Sequence, residues 1–148
     1  MVNISFLNLV VVKEKSSRYD VQKKINSPKD IYDIAVKVIK AGEQAEENLW
    51  LITLDTKNNI TGIFEVSRGS LNTSIVHPRE IFKRAIMQNS ASIILLHNHP
   101  SGDVKPSKED IQVTQKIVEC GRILNINLLD HVIIGDDCYK SFKEEGLL

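Results

Sequence analysis

The apolar run ASIILLH (residues 91–97) constrains the fold more than any other segment. It has the length of a β-strand, and its apolar residues are continuous rather than alternating. This pattern predicts a strand covered on both faces, since an exposed face would carry polar residues at every second position. The chain must therefore supply packing elements for both sides of a sheet.

Three segments have the capping signals and apolar spacing of amphipathic helices. The first, SPKDIYDIAVKVIKAG (27–42), begins with Ser27 as a capping residue and repeats apolar residues at helical spacing. The second is HPREIFKRAIMQNS (77–90), and the third is PSKEDIQVTQKIVECG (106–121), which is predicted to end near Gly121.

Further strands are predicted from short apolar runs bounded by turns. These are ISFLNLVVV (4–12), a possible short strand YDVQKK (19–24), a hairpin of ENLWLITLD (47–55) and ITGIFEVS (60–67), and a closing hairpin of INLLDHVIIG (126–135) and CYKSF (138–142). With the three helices, they predict an α+β (mixed α/β) fold in which helices cover a sheet.

Composition favours one globular domain spanning residues 1–148, with 42% hydrophobic and 26% charged residues. The 19 basic residues balance the 19 acidic ones, so charge does not support a nucleic-acid partner. No run approaches the ~20 apolar residues of a membrane span, and the first residues lack the features of a secretory signal. Two cysteines without a disulfide framework fit a cytoplasmic protein.

The sequence after the buried strand predicts a metal site. His97 and His99 are one residue apart, and this spacing directs both rings to one face of a strand. Asp110 follows eleven residues after His99 in the first turn of the third predicted helix, after a Pro/Ser/Gly turn. Two imidazoles and a carboxylate are a typical ligand set for a catalytic metal with one open position.

Each of these residues has a simpler interpretation. The histidine pair could be two partly exposed side chains at a strand end. Asp110 could serve only as the third residue of a capping box with Ser107. Residue types and spacing alone leave both interpretations open.

Hydrolysis at such a metal also requires a general base. Glu65 is the best-placed candidate, because it interrupts the apolar strand GIFEVS (62–67). Since strand residues alternate between faces, Glu65 could equally face solvent. Glu80 and Glu109 are weaker candidates, because each lies in the first turn of a helix, where a carboxylate is favoured by the helix dipole.

Together, the residues from His97 to Asp110 reproduce the pattern H-x-H-x7-S-x2-D of the JAMM (MPN-plus) metallopeptidases. Around this pattern, RGSLNTSIVHPREIFKRAI (68–86), LLHNHPSGDVKPSKED (95–110) and LLDHVIIG (128–135) resemble the bacterial RadC family. The resemblance covers roughly residues 27–148.

The resemblance implies a curved, mostly antiparallel sheet with three helices packed against it, in a JAMM/cytidine-deaminase-like architecture. It implies that His97, His99 and Asp110 bind one Zn²⁺ per chain and that Glu65 is the acid/base carboxylate. Ser107 would help to hold the water and the developing oxyanion, in addition to capping the helix. His131 would be structural or would orient a metal ligand.

The implied function is a zinc metalloprotease or isopeptidase that cleaves a peptide-like amide in a peptide or protein substrate. Two alternatives are a DNA repair or recombination accessory protein, as the family name suggests, and a non-enzymatic interaction module. The RadC-type helix-hairpin-helix segment associated with nucleic acid has no counterpart in this sequence, which weakens the first alternative.

Overall fold

A computed structural model describes residues 1–69 and 76–148 and confirms an α+β fold with helices on both faces of a five-stranded sheet. Residues 70–75 of the RadC-like segment 68–86 lie outside the described residues. The main elements are α1 (Pro28–Ile34), β1 (Asn48–Leu54), β2 (Ile60–Arg68), α2 (Pro78–Met87), β3 (Ser92–Asn98), α3 (Lys108–Leu124), β4 (Asn127–Ile134) and β5 (Tyr139–Ser141). Among the described helices, none is both long and apolar enough to cross a membrane.

The strands lie in the order β2-β1-β3-β4-β5, which places the predicted buried strand β3 at the centre of the sheet. All neighbouring strands are antiparallel except β3 and β4, which are parallel. A parallel pair requires a crossover connection, and α3 provides it. Consequently β3 ends, and α3 begins, at the same edge of the sheet.

Side-chain alternation in β1 and β3 divides the core into two layers. Every residue of both strands is buried, as the apolar run ASIILLH predicts. The layer under α1, called the α1 face, contains Trp50, Ile52 and Leu96. The layer under α2 and α3, called the α2/α3 face, contains Leu49, Leu51 and Leu95. The face on which a side chain lies therefore follows from its position along either strand.

Helix α3 continues past Gly121, where the sequence predicts its end, and stops at Leu124. The residue that ends the helix is Asn125, which adopts the left-handed conformation with φ of 58°. Gly121 has a packing role instead, because a Cβ atom there would lie 2.5 Å from the carbonyl oxygen of Ile126 and 3.4 Å from the Phe82 ring.

Replacing Gly121 with alanine is expected to lower the free energy of unfolding by about 1–3 kcal/mol, the usual cost of overpacking a core. The helix must move away from the Ile126 carbonyl, and this cost exceeds the gain of ~1 kcal/mol in helix propensity. Urea denaturation measures the difference. Gly42→Ala is the matched control, since a Cβ there meets nothing within 4 Å; equal stability of the two variants would contradict the prediction.

The predicted N-terminal strands are wrong. Residues 1–20 contain no helix or strand, and Ile4, Phe6 and Leu9 are exposed. In the segment 19–24, the described residues form a single β-bridge, between Lys24 and Asn59, instead of the predicted short strand. An apolar alternating segment becomes a strand only where a neighbouring strand pairs with it, and within the described residues this segment has no such ladder.

Candidate metal centre

The end of β3 brings the two predicted histidines together on the α2/α3 face. His97 is completely buried, and the side chain of His99, just beyond the strand, is 13% exposed. Their Nε2 atoms are 2.9 Å apart. The two-residue spacing therefore produces the shared face that the sequence predicts.

The first turn of α3 adds the Asp110 carboxylate to the histidine pair. Its Oδ1 lies 3.3 Å from Nε2 of His97, and its Oδ2 lies 3.2 Å from Nε2 of His99. The capping box is also present: Ser107 Oγ accepts from the Asp110 N–H, and Asp110 Oδ2 accepts from the Ser107 N–H. The two interpretations of Asp110 are thus compatible, because the cap holds the carboxylate where it faces the histidines.

A fourth group, Glu47, completes the cluster, although no local sequence signal indicates it. Its Oε1 lies 3.6 Å from Nε2 of His99 and 3.9 Å from Nε2 of His97. One potential ligand atom from each of the four residues lies within 4.8 Å of the others. The side chain of Glu47 remains 25% exposed, so the cluster opens toward solvent on this side.

The strand register explains the position of Glu47. Leu49 in β1 is paired with His97 in β3, and the strands are antiparallel. Two residues before Leu49 and two residues after His97, Glu47 and His99 therefore fall opposite one another on the same face. The pairing of the predicted hairpin strand 47–55 with the buried strand is the signal that points to this carboxylate.

The structure does not bring Glu65 to the cluster. Glu65 is paired with Trp50, which lies on the α1 face, whereas its neighbours Phe64 and Val66 pack on the α2/α3 face with the histidines. Its carboxylate accepts a 2.9 Å hydrogen bond from Arg68 Nε, and its side chain is 39% exposed. Strand alternation therefore gives Glu65 a solvent-facing position, and Glu47 is the carboxylate beside the histidines.

A buried hydrogen-bond chain orients His97. The Thr114 hydroxyl donates to the Asp110 carbonyl at 2.6 Å, so its oxygen accepts from His131 Nδ1, also at 2.6 Å. His131 Nε2 then accepts from His97 Nδ1 at 2.7 Å. We assign His97 the tautomer with its proton on Nδ1, which leaves the lone pair of Nε2 directed at Asp110. This hydrogen bond places His131 against the His97 ring, where it can orient that ring.

His99 is oriented in the same way by the loop that follows β3. Its Nδ1 donates to the carbonyl oxygen of Asp103 at 2.6 Å, so in the neutral ring its Nε2 also carries a lone pair. Such donation from the distal ring nitrogen to a carbonyl is typical of metal-bound histidines.

The electrostatics of the cluster favour a bound cation. Burial lowers the pKa of His97 and lowers that of His131 well below the ordinary histidine value, so both rings are neutral. Although burial opposes both effects, hydrogen bonding that places a proton on the histidine side of the contact holds the pKa of Asp110 well below its usual range and raises the pKa of His99. A carboxylate faced by two nitrogen lone pairs attracts either a proton or a metal ion.

One buried atom supports a metal ion specifically. Asp110 Oδ1 is fully buried and has no hydrogen-bond partner among the described residues. Such an atom is costly unless another group satisfies it. Two imidazole nitrogens and a carboxylate oxygen suit a borderline divalent cation. The residues present therefore fit a metal ion held by His97, His99 and Asp110, with Glu47 beside it.

Replacing Thr114 with valine is expected to weaken metal binding by about 10- to 100-fold, the usual effect of removing a group that orients a ligand. The change keeps the shape of the buried side chain but removes the hydroxyl that determines the His131 and His97 tautomers. Competition with a chelator measures the affinity. Thr53→Val, a buried threonine at the far end of β1, is the control; an unchanged affinity in Thr114→Val would contradict the tautomer assignment.

Comparison with known proteins agrees with this geometry. Residues 25–147 match the family model described as RadC-like JAB domain. The chain is 55% identical over 127 residues to a UPF0758 protein of Methanosarcina mazei, an alignment covering 86% of this chain and 55% of the relative. It is 47% identical over 147 residues to a UPF0758 protein of Clostridium botulinum, covering 96% of this chain and 64% of the relative. The chain thus spans about half to two thirds of the length of these curated relatives.

Proposed function

This chain belongs to the RadC-like JAB domain family, and on that basis we propose that it is a zinc-dependent hydrolase that cleaves a peptide-like amide bond. The convergence of His97, His99, Asp110 and Glu47 carries the proposal. Three of these residues offer metal ligands, and the fourth is a partly exposed carboxylate within reach of the same point. A site built only for packing would not direct two imidazole lone pairs at a buried carboxylate.

His97, His99 and Asp110 would hold the zinc ion. When bound, zinc polarises a carbonyl group and lowers the pKa of a water molecule toward ~7. The capping box at the start of α3 holds the Asp110 carboxylate, and the Thr114–His131 chain holds the His97 ring. These interactions orient the ligands before the ion binds, which reduces the reorganisation that binding requires.

Glu47 would be the acid/base group in place of Glu65. Its carboxylate would take a proton from the attacking water and return it to the departing amine. It is suited to this role because it lies 3.6 Å from His99 Nε2 and remains open to solvent, through which substrate must enter.

Ser107 would stabilise the oxygen of the carbonyl under attack. Its Oγ already accepts the N–H of Asp110, and a hydroxyl that accepts one hydrogen bond can still donate another.

Zinc loading followed by a cleavage screen tests the proposal. We expect about one zinc per chain after dialysis of the untagged protein, and cleavage within a library of peptides and isopeptides. Cleavage should stop on treatment with a chelator and return when zinc is restored. A protein that retains no zinc would rule out the enzyme, and one that retains zinc but cleaves no amide would limit the proposal to metal binding.

A further inference from the structure

Asn98, the residue between the two histidines, makes contacts that the proposed chemistry does not use. Alternation along β3 turns its side chain away from the α2/α3 face, so it cannot be a ligand. The residue is 2% exposed. Its side-chain Oδ1 accepts from the backbone N–H of Asn48 at 2.8 Å, and its Nδ2 donates to the backbone carbonyl of Glu46 at 3.0 Å.

These two hydrogen bonds join Asn98 to the backbone on either side of Glu47. The pairing of β1 with β3 extends only to Leu49 and His97, and within the described residues its pairing with β2 extends only to Asn48 and Arg68. Just beyond the last β1–β3 pair, the side-chain amide of Asn98 hydrogen-bonds the backbone of the residues immediately before and after Glu47. The same strand end therefore carries the two histidines and holds the carboxylate beside them.

An asparagine is suited to this task for chemical reasons. The site requires one acceptor for an N–H and one donor for a carbonyl, on a short side chain. Aspartate has no donor and would set a negative charge against the Glu46 carbonyl. Serine has a single oxygen, which cannot span both backbone groups.

We propose that Asn98 is a positioning residue that holds the Glu47 carboxylate against the metal ligands. The importance of this position for catalysis rests on the proposed function, but the positioning itself does not. The alternative is that Asn98 only locks the end of β1. In that case its loss would loosen the strand without moving Glu47 relative to the histidines.

The first test uses metal-free protein and amide hydrogen exchange. In Asn98→Ala, the Asn48 amide loses its acceptor and is expected to exchange at least roughly tenfold faster, consistent with losing one buried hydrogen bond. Amides in the middle of β1 should keep their protection. Thr53→Ala is the matched control, since it removes a part-buried hydrogen bond from the other end of the same strand. Unchanged exchange at Asn48, or equal acceleration in Thr53→Ala, would overturn the proposal.

The second test measures the position of Glu47 relative to the metal. With Co²⁺ bound, paramagnetic shifts in the NMR spectrum report the distance of each group from the ion. In Asn98→Ala we expect the shifts of Glu47 to diminish while those of Thr114 and His131 stay the same. Unchanged Glu47 shifts would show that Asn98 does not position it, and so would a parallel loss at all three residues.

A second variant covers the case in which Asn98→Ala does not fold. Asn98→Asp has the same shape and keeps the acceptor for Asn48, but it removes the donor to Glu46. Displacement of Glu47 in this variant supports the proposal, and an unmoved Glu47 overturns it. If wild-type protein binds no Co²⁺ or zinc, the proposed function fails, and hydrogen exchange at Asn48 still decides whether Asn98 holds the segment.

Discussion

Asp110→Asn is expected to abolish zinc retention while leaving α3 intact. The asparagine side-chain oxygen can still accept from the Ser107 N–H, so the capping box survives. The buried anion between the two histidine Nε2 atoms is lost, and with it the charged ligand. Wild-type protein should gain about 2.7 kcal/mol of stability at zinc concentrations a hundredfold above Kd, and the variant should gain none. Metal analysis and thermal unfolding with and without zinc measure both effects.

The chain contains a matched control for this change. Asp30 forms the same capping box with Ser27 at the start of α1, where its Oδ2 accepts from the Ser27 N–H at 2.9 Å. Asp30→Asn therefore makes the same substitution at a helix start away from the cluster, and zinc should stabilise it as it does wild type. If Asp110→Asn keeps one zinc and the full stabilisation, Asp110 is a cap and not a ligand.

Local signals predicted most of the fold, because most elements have their cause within their own sequence. The continuous run at 91–97 predicted the central strand β3, and the capping residues Ser27 and Ser107 predicted two helix starts. The N-terminal prediction failed for a physical reason. A helix forms its hydrogen bonds within itself, whereas the segment 4–12 needs a partner strand that sequence periodicity cannot supply.

The candidate site also contains residues that local signals predict and one that they do not. His97 and His99 could be predicted from local spacing because one strand carries both, and Asp110 because a helix start with a capping box holds it. Glu47, the acid/base candidate, could not be predicted from local spacing, because it belongs to another strand and its position depends on the register between the strands. Within a single strand, Glu65 stood out as a charge in an apolar run. Glu47 stood at the start of the predicted strand 47–55 with no local feature to mark it, and its pairing position opposite His99 is what distinguishes it.

Glu47→Gln is expected to reduce hydrolysis by about 10²- to 10⁴-fold, the usual contribution of a general acid/base group. The change removes the carboxylate that would accept a proton, but it keeps the size of the side chain and all three proposed ligands. Zinc content should therefore stay near one per chain. The measurement is turnover of whichever substrate the cleavage screen identifies, made on zinc-loaded wild type and variant.

Glu65→Gln is the decisive comparison, because it makes the same chemical change at the carboxylate that the family resemblance implies is the base. Glu65 lies on the opposite face of the sheet and is paired with Arg68, so its loss should leave turnover within about twofold of wild type, since an exposed ion pair contributes little. If Glu65→Gln were inactive and Glu47→Gln fully active, the proton would have to travel by a route that this arrangement of strands does not offer. The proposed mechanism would then have to be abandoned even if zinc bound as expected.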